Sequence, residues 1–128
     1  WEQWVRWRET YPDLTLQLVR GNHDILPLEY YRKAGLEVFD QLFLNPFIFT
    51  HEPPISTEAS EGYALSGHVH PAVRLRGKSR QWLKLPCFYF GEKNGLLPAF
   101  GQFTGTSIVE PALGSEVFVI AEDRVIRM

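Results

Sequence analysis

YALSGHVHPAVRLRG, residues 63–77, runs from a short apolar segment through a glycine and two histidines two positions apart into a second alternating segment. YALSG (63–67) predicts a short buried strand and AVRLRG (72–77) another. Side chains two apart in an extended segment share a side, so His68 and His70 can point to one cluster or serve two adjacent metal ions. In open α/β sheets the carboxyl ends of strands are where ligands bind, and a strand that delivers two imidazoles fits that architecture.

The other two histidines repeat the arrangement. GNHD (21–24) follows the alternating run LTLQLVR (14–20), and His51 follows PFIFT (46–50). Three loops leaving three strand ends therefore bring Asn22, His23, His51, His68 and His70 towards one crevice. Imidazole nitrogen suits Zn, Mn, Fe, Co or Ni, and an asparagine oxygen is a neutral, hard ligand that favours Mn- or Mg-like ions. Gly21 and Gly67 allow a sharp turn or a close approach without a Cβ. Taken singly, each cluster has a plainer reading: Asn, Asp and Gly favour turns, and a lone histidine beside a strand is commonly a half-buried side chain. Three clusters that together use every histidine in the chain favour a shared metal site.

The remainder sets the frame. With 128 residues, 45% hydrophobic and 22% charged, the chain is expected to form a single domain, residues 1–128, around a real core. Thirteen basic and fifteen acidic residues give a net charge of −2, which makes no global case for nucleic-acid binding. No apolar run approaches the roughly 20 residues needed to cross a bilayer, so no membrane partner is expected; a cytoplasmic location is expected, and a single unpaired cysteine is consistent with that reducing compartment. The one cysteine, Cys87, lies inside LPCFYF (85–90) and reads as an inert core residue. The one methionine is Met128, and the chain opens on Trp1, the pattern of the carboxyl-terminal piece of something longer.

Residues 1–11 have the spacing of an amphipathic helix stopped by Pro12, and PLEYYRKAG (27–35) that of a short helix ending at Gly35. LEVFDQLFL (36–44) and PFIFT (46–50) read as strands around a turn at Asn45–Pro46, and residues 51–62 as a loop. The segments WLKLPCFYF (82–90), LLPAF (96–100), SIVEP (107–111) and VFVIAEDRVIRM (117–128) add strands, the last as a hairpin turning at Glu122–Asp123. The expected fold is mixed α/β with strands predominant.

The three clusters resemble, in order, the last three motifs of the calcineurin-like metallophosphoesterase superfamily: Gly-Asn-His-Asp, a lone His, and Gly-His-x-His. FTHEPP, SGHVHPAVRLRG, QWLKLPCFYF and LLPAFGQFTGTSIVEP are similar to a narrower branch, the phosphoesterases associated with bacterial DNA-ligase and helicase genes. The superfamily's first two motifs, Asp-x-His and Gly-Asp-x-x-Asp, do not occur before residue 21. The resemblance implies a layered α/β/β/α sandwich of mixed sheets with its amino-terminal part missing. It implies two divalent ions, Mn foremost with Fe, Zn, Ni or Mg as alternatives. Asn22, His51 and His68 would bind one, and His70 the other.

By the same resemblance, His23 would protonate the leaving oxygen of a phosphate ester or steady its charge, and Asp24 would orient His23. The ions would activate water and take up charge on the phosphate. The implied activity is a phosphodiesterase or nuclease-like hydrolase linked to DNA repair. The carboxylate that bridges the two ions in that superfamily would belong to the missing amino-terminal part, so these residues alone are expected to bind metal partially and to turn over little or nothing. A binding module that keeps the fold without catalysis is the rival reading.

Arg74, Arg76, Lys78 and Arg80 alternate along residues 73–80. They read either as a solvated sheet face or as a stripe that tracks the phosphates of a nucleic-acid substrate. Trp1, Trp4 and Trp7 are expected to be exposed, which would favour a homo-oligomer. Association with DNA ligase or helicase is implied by the branch resemblance alone.

Overall fold

The structure, a computed structural model, describes residues 2–55, 62–77, 81–101 and 104–128. Trp1, Lys78, Arg80 and half of the expected loop 51–62 (residues 56–61) lie outside the described residues.

Helix α1 (Glu2–Thr10) leads to β1 (Leu16–Val19), and a six-residue helix α2 (Leu28–Lys33) separates β1 from β2 (Leu36–Phe39). β1 and β2 pair in parallel, from Leu16 opposite Leu36 to Val19 opposite Phe39. This is the right-sized use of an intervening helix, because parallel neighbours need a crossover. Gly35 sits at φ 75°, the left-handed position that ends a helix.

The run 36–44, which reads as one strand, is split. β3 (Gln41–Leu44) leaves β2 at Asp40 and pairs antiparallel with β4 (Phe47–Thr50) in a different sheet. Local alternation gives the extended conformation of both halves but not the partner of either. The expected turn at Asn45–Pro46 joins β3 to β4, with that peptide bond cis.

The larger sheet runs β11–β10–β7–β8–β5–β4–β3, with β6 and β9 joined to it through β7. Its members are β5 (Tyr63–Ser66), β6 (Pro71–Arg76), β7 (Trp82–Phe90), β8 (Asn94–Leu96), β9 (Ser107–Ile108), β10 (Glu116–Ala121) and β11 (Arg124–Arg127). β4, β5 and β8 are mutually parallel. β7 spans nine residues because it serves two sets of neighbours: Trp82–Pro86 pair with β6, and Cys87–Phe90 with β10. Pro86, which has no N–H, falls where the partner changes.

Strand expectations fail in two places. Of LLPAF only Leu96 is in a strand, and of SIVEP only Ser107 and Ile108 are. Pro98 and Pro111 remove ladder donors from both segments. The β10–β11 hairpin turns at Glu122–Asp123 as expected, with Glu122 at φ 55°.

Val73, Cys87, Val117 and Val119 are buried together, and Leu75, Leu85, Tyr89 and Val109 pack against them. Cys87 has no exposed surface, and burial raises its thiol pKa, so it is a core residue. Around the tryptophans the expectation is only partly right. Trp7 is exposed, but Trp4 is half-buried, and Trp4, Trp7 and Tyr11 form a row with ring centroids 5.2 and 5.3 Å apart. Among the described residues no helix is long and apolar enough to cross a membrane.

Candidate functional site

β4 and β5 lie side by side and point the same way, Thr50 opposite Ser66, so the residues that follow them emerge together. The ladder continues past the strand ends: Gly67 and His68 N–H both donate to the His51 carbonyl, at 3.2 and 2.9 Å. Beneath them Ser66, 1% exposed, has its hydroxyl 2.9 Å from that of Thr50. Thr50 gives its own proton to the Glu52 carbonyl at 2.7 Å, so Ser66 is the donor in the pair. Two short hydroxyl side chains thus tie together the strand ends that carry His51 and His68.

Asn22 arrives from the other sheet. Arg20 N–H donates to the Phe39 carbonyl and extends β1 by one residue, after which Gly21–Asp24 turn back on themselves. Gly21 N–H donates to Asp24 Oδ2 at 2.7 Å, and Asp24 N–H to the Gly21 carbonyl at 3.1 Å. Asp24 therefore closes the turn. The hydrogen bond its carboxylate makes is to Gly21, not to His23.

Three donor atoms converge. His51 Nε2 lies 2.8 Å from Asn22 Oδ1 and 2.9 Å from His68 Nδ1. Those contacts make poor sense as a hydrogen-bond pair alone. Asn22 Oδ1 has only lone pairs, and each imidazole nitrogen carries at most one proton in the neutral ring. If His51 Nε2–H serves Asn22, it has no second proton for His68. If His68 Nδ1–H serves His51, the Asn22 oxygen faces a lone pair. A cation resolves the conflict: ligands at about 2.1 Å from one ion and at right angles stand about 3 Å apart. The pKa of His51 is lowered, first by burial and then by the neighbouring His68. That keeps the ring neutral, the form that ligates metal.

The donor set therefore fits a divalent ion as part of its shell. It is two imidazoles and an amide oxygen; among the described residues no three His, Cys, Asp or Glu side chains gather into a site.

Gly21 makes the approach possible. A Cβ there would lie 2.6 Å from His51 Nδ1 and 2.7 Å from Cε1, well inside contact distance. Gly67 differs from the expectation, because a Cβ there would meet nothing within 4 Å.

His70 does not join the cluster of Asn22, His51 and His68. Its backbone is left-handed, φ 50°, an uncommon state for a residue with a Cβ. Residues 105–107 hold it there: Ser107 N–H donates to the His70 carbonyl at 3.0 Å, and His70 Nδ1 lies 3.0 Å from the Gly105 carbonyl. A carbonyl only accepts, so Nδ1 carries the proton and the Nε2 lone pair is directed away from it. His23, His68 and His70 line an open cavity of about 440 Å³ with Val69, Thr104, Gly105, Thr106 and Ser107. The segment 104–107 is a wall of this cavity that the motif pattern does not reveal. Its only signal in the sequence is TGTS, four small residues that leave backbone groups accessible.

Arg74 and Arg76 stand outside the cavity, on the exposed side of β6. Trp82 and Lys84 of β7 join them across the ladder, Arg74 opposite Lys84 and Arg76 opposite Trp82. The Arg74 guanidinium carbon is 5.9 Å from the Trp82 ring centroid. Lys84 Nζ donates to the Thr106 carbonyl at 2.7 Å and so links this face to the cavity wall.

Over 98% of its length the chain superimposes on the crystal structure of Pseudomonas putida nuclease MPE with a TM-score of 0.79 and 35% sequence identity. This chain is similar to a nuclease. It spans 60% of the length of that nuclease. No family model matches the sequence, and no curated protein does. The mixed α/β fold, mostly sheet with few helices, is therefore the expected one.

Proposed function

We propose that this chain is the carboxyl-terminal part of a metal-dependent phosphoesterase that cleaves phosphodiesters of nucleic acid. One observation carries the reading: His51 Nε2 lies within 2.9 Å of both Asn22 Oδ1 and His68 Nδ1 although the three residues come from three loops and two sheets. The likeness to a nuclease supports it. Manganese suits two imidazoles and a hard amide oxygen.

A divalent ion at these donors, when bound, supplies Lewis-acid charge beside a phosphate and acidifies water. The chain's own groups do the rest. Asn22, His51 and His68 hold the ion, and His70 presents Nε2 to a neighbouring position. His23, exposed on the cavity, is placed to give a proton to the leaving oxygen. Backbone and hydroxyl groups of Thr104–Ser107 face the same space and orient the ester. Asp24 acts on His23 indirectly, by closing the turn that presents it.

Three donors do not fill the shell of one ion, so these 128 residues bind Mn²⁺ weakly and hydrolyse slowly at best. Isothermal calorimetry with Mn²⁺ tests this. One weak equivalent, lost in His51→Ala and in His68→Ala with folding intact, is expected. Binding unchanged in both variants refutes the site. For the longer protein, turnover of bis-p-nitrophenyl phosphate with Mn²⁺ that drops sharply in His23→Ala is expected.

A further inference from the structure

The geometry points to the outward face of β6 and β7 as a docking ledge for single-stranded nucleic acid, built from Arg74, Arg76, Lys84 and Trp82. This deepens the phosphodiesterase reading and rests on it.

Cross-strand partners share a face, and alternate residues of one strand share it too. Arg74, Arg76, Lys84 and Trp82 therefore all project from one side of the β6–β7 pair. The opposite side carries Val73, Leu75 and Leu85, which belong to the core. The four outward positions bear three cations and no carboxylate, in a chain whose net charge is −2. Among the described residues the ion pair is Arg127 with Glu116, so no salt bridge quenches the ledge. A locally basic face on an acidic chain selects for an anionic polymer over a neutral ligand.

Trp82 decides which polymer. It is 61% exposed at one end of this basic face, opposite Arg76 and with the Arg74 guanidinium over its ring. An indole next to guanidinium groups is a platform for a base, and stacking needs a base with a free face. Duplex bases have none, so the fit is to a single strand. Position supplies the connection to chemistry. β6 begins one residue after His70, and Arg74 lies about 13 Å along the strand from it at ~3.3 Å per residue. Lys84 is bonded to Thr106, a lining residue of the His23–His68–His70 cavity. A strand laid across Trp82 would have its backbone led by Lys84 towards that cavity.

The test uses a fluorescein-labelled 12-mer oligothymidylate, read by anisotropy in EDTA so that nothing is cleaved. Trp82→Ala is expected to weaken binding about thirtyfold, the middle of the range for one base–aromatic stack, and Trp82→Phe to restore most of it. Arg74→Ala/Arg76→Ala should flatten the dependence of log K on log salt by about 1.4, at roughly 0.7 per single-strand phosphate contact. A duplex of equal length should bind more weakly and without dependence on Trp82. All four side chains are on the surface, so the variants should keep the wild-type far-ultraviolet circular dichroism. Wild-type binding in both Trp82→Ala and the double arginine variant overturns the ledge, and so does a wild type that binds no oligonucleotide. Mn²⁺ calorimetry on the same proteins separates the two proposals: loss of the metal site with Trp82-dependent binding intact sinks the phosphoesterase reading and leaves the ledge.

Discussion

Gly21→Ala is the sharpest probe of the convergent site, because it adds one methyl group and nothing else. The new Cβ would stand 2.6 Å from His51 Nδ1. Ordinary carbon contacts begin near 3.5 Å, so the ring must retreat by about 0.9 Å. His51 is half-buried and has room to swing outward. The cost to folding is therefore small, under about 1 kcal/mol. The cost to the site is not. His51 Nε2 now lies within 2.8 and 2.9 Å of its neighbours, the spacing of ligands on one ion. A ligand moved by nearly 1 Å from a bond of about 2.1 Å has ceased to be one. Disturbing an outer-shell partner alone lowers metal affinity about 10–100-fold, so loss of His51 should reach at least the upper end. Mn²⁺ titration followed by electron paramagnetic resonance measures the affinity, and thermal melting the stability. Gly67→Ala is the control, since a Cβ there meets nothing within 4 Å. Equal Mn²⁺ affinity in wild type and Gly21→Ala, or equal losses in both glycine variants, would refute the reasoning.

Ser66→Ala should cost about 1 kcal/mol, read as a lower urea midpoint, because it removes the buried donor to Thr50. It should also weaken Mn²⁺ binding, since the pair ties the strand ends under His51 and His68. Glu122→Asn should stabilise the chain by about 0.5–1 kcal/mol, because asparagine tolerates the φ of 55° that glutamate holds at the hairpin tip. Cys87, fully buried with its pKa raised by burial, should resist a thiol reagent at pH 8 and react once urea unfolds the chain.

Read without its fold, the chain already marked out the residues proposed here to hold metal. Asn22, His51 and His68 each follow a strand-like run rich in apolar residues, and that local pattern is enough to place them at strand ends. The helix 27–35, the hairpin at Glu122–Asp123 and the burial of Cys87 follow from the same short-range logic of periodicity and turn chemistry. Asp24 marks its limit. The family resemblance implied a carboxylate orienting His23, whereas in the turn its Oδ2 accepts from Gly21 N–H.

Pairing was decided by the tertiary structure alone. Nothing within 36–44 says that its two halves go to different sheets, and nothing in GNHD says that Asn22 crosses from the smaller sheet to meet two histidines of the larger. The Arg74–Arg76 stripe needed Lys84 and Trp82, from a strand whose own run reads only as apolar, before it became a face. The physical reason is range: alternation along the backbone fixes which side a residue shows, while the identity of its neighbour depends on contacts made tens of residues away.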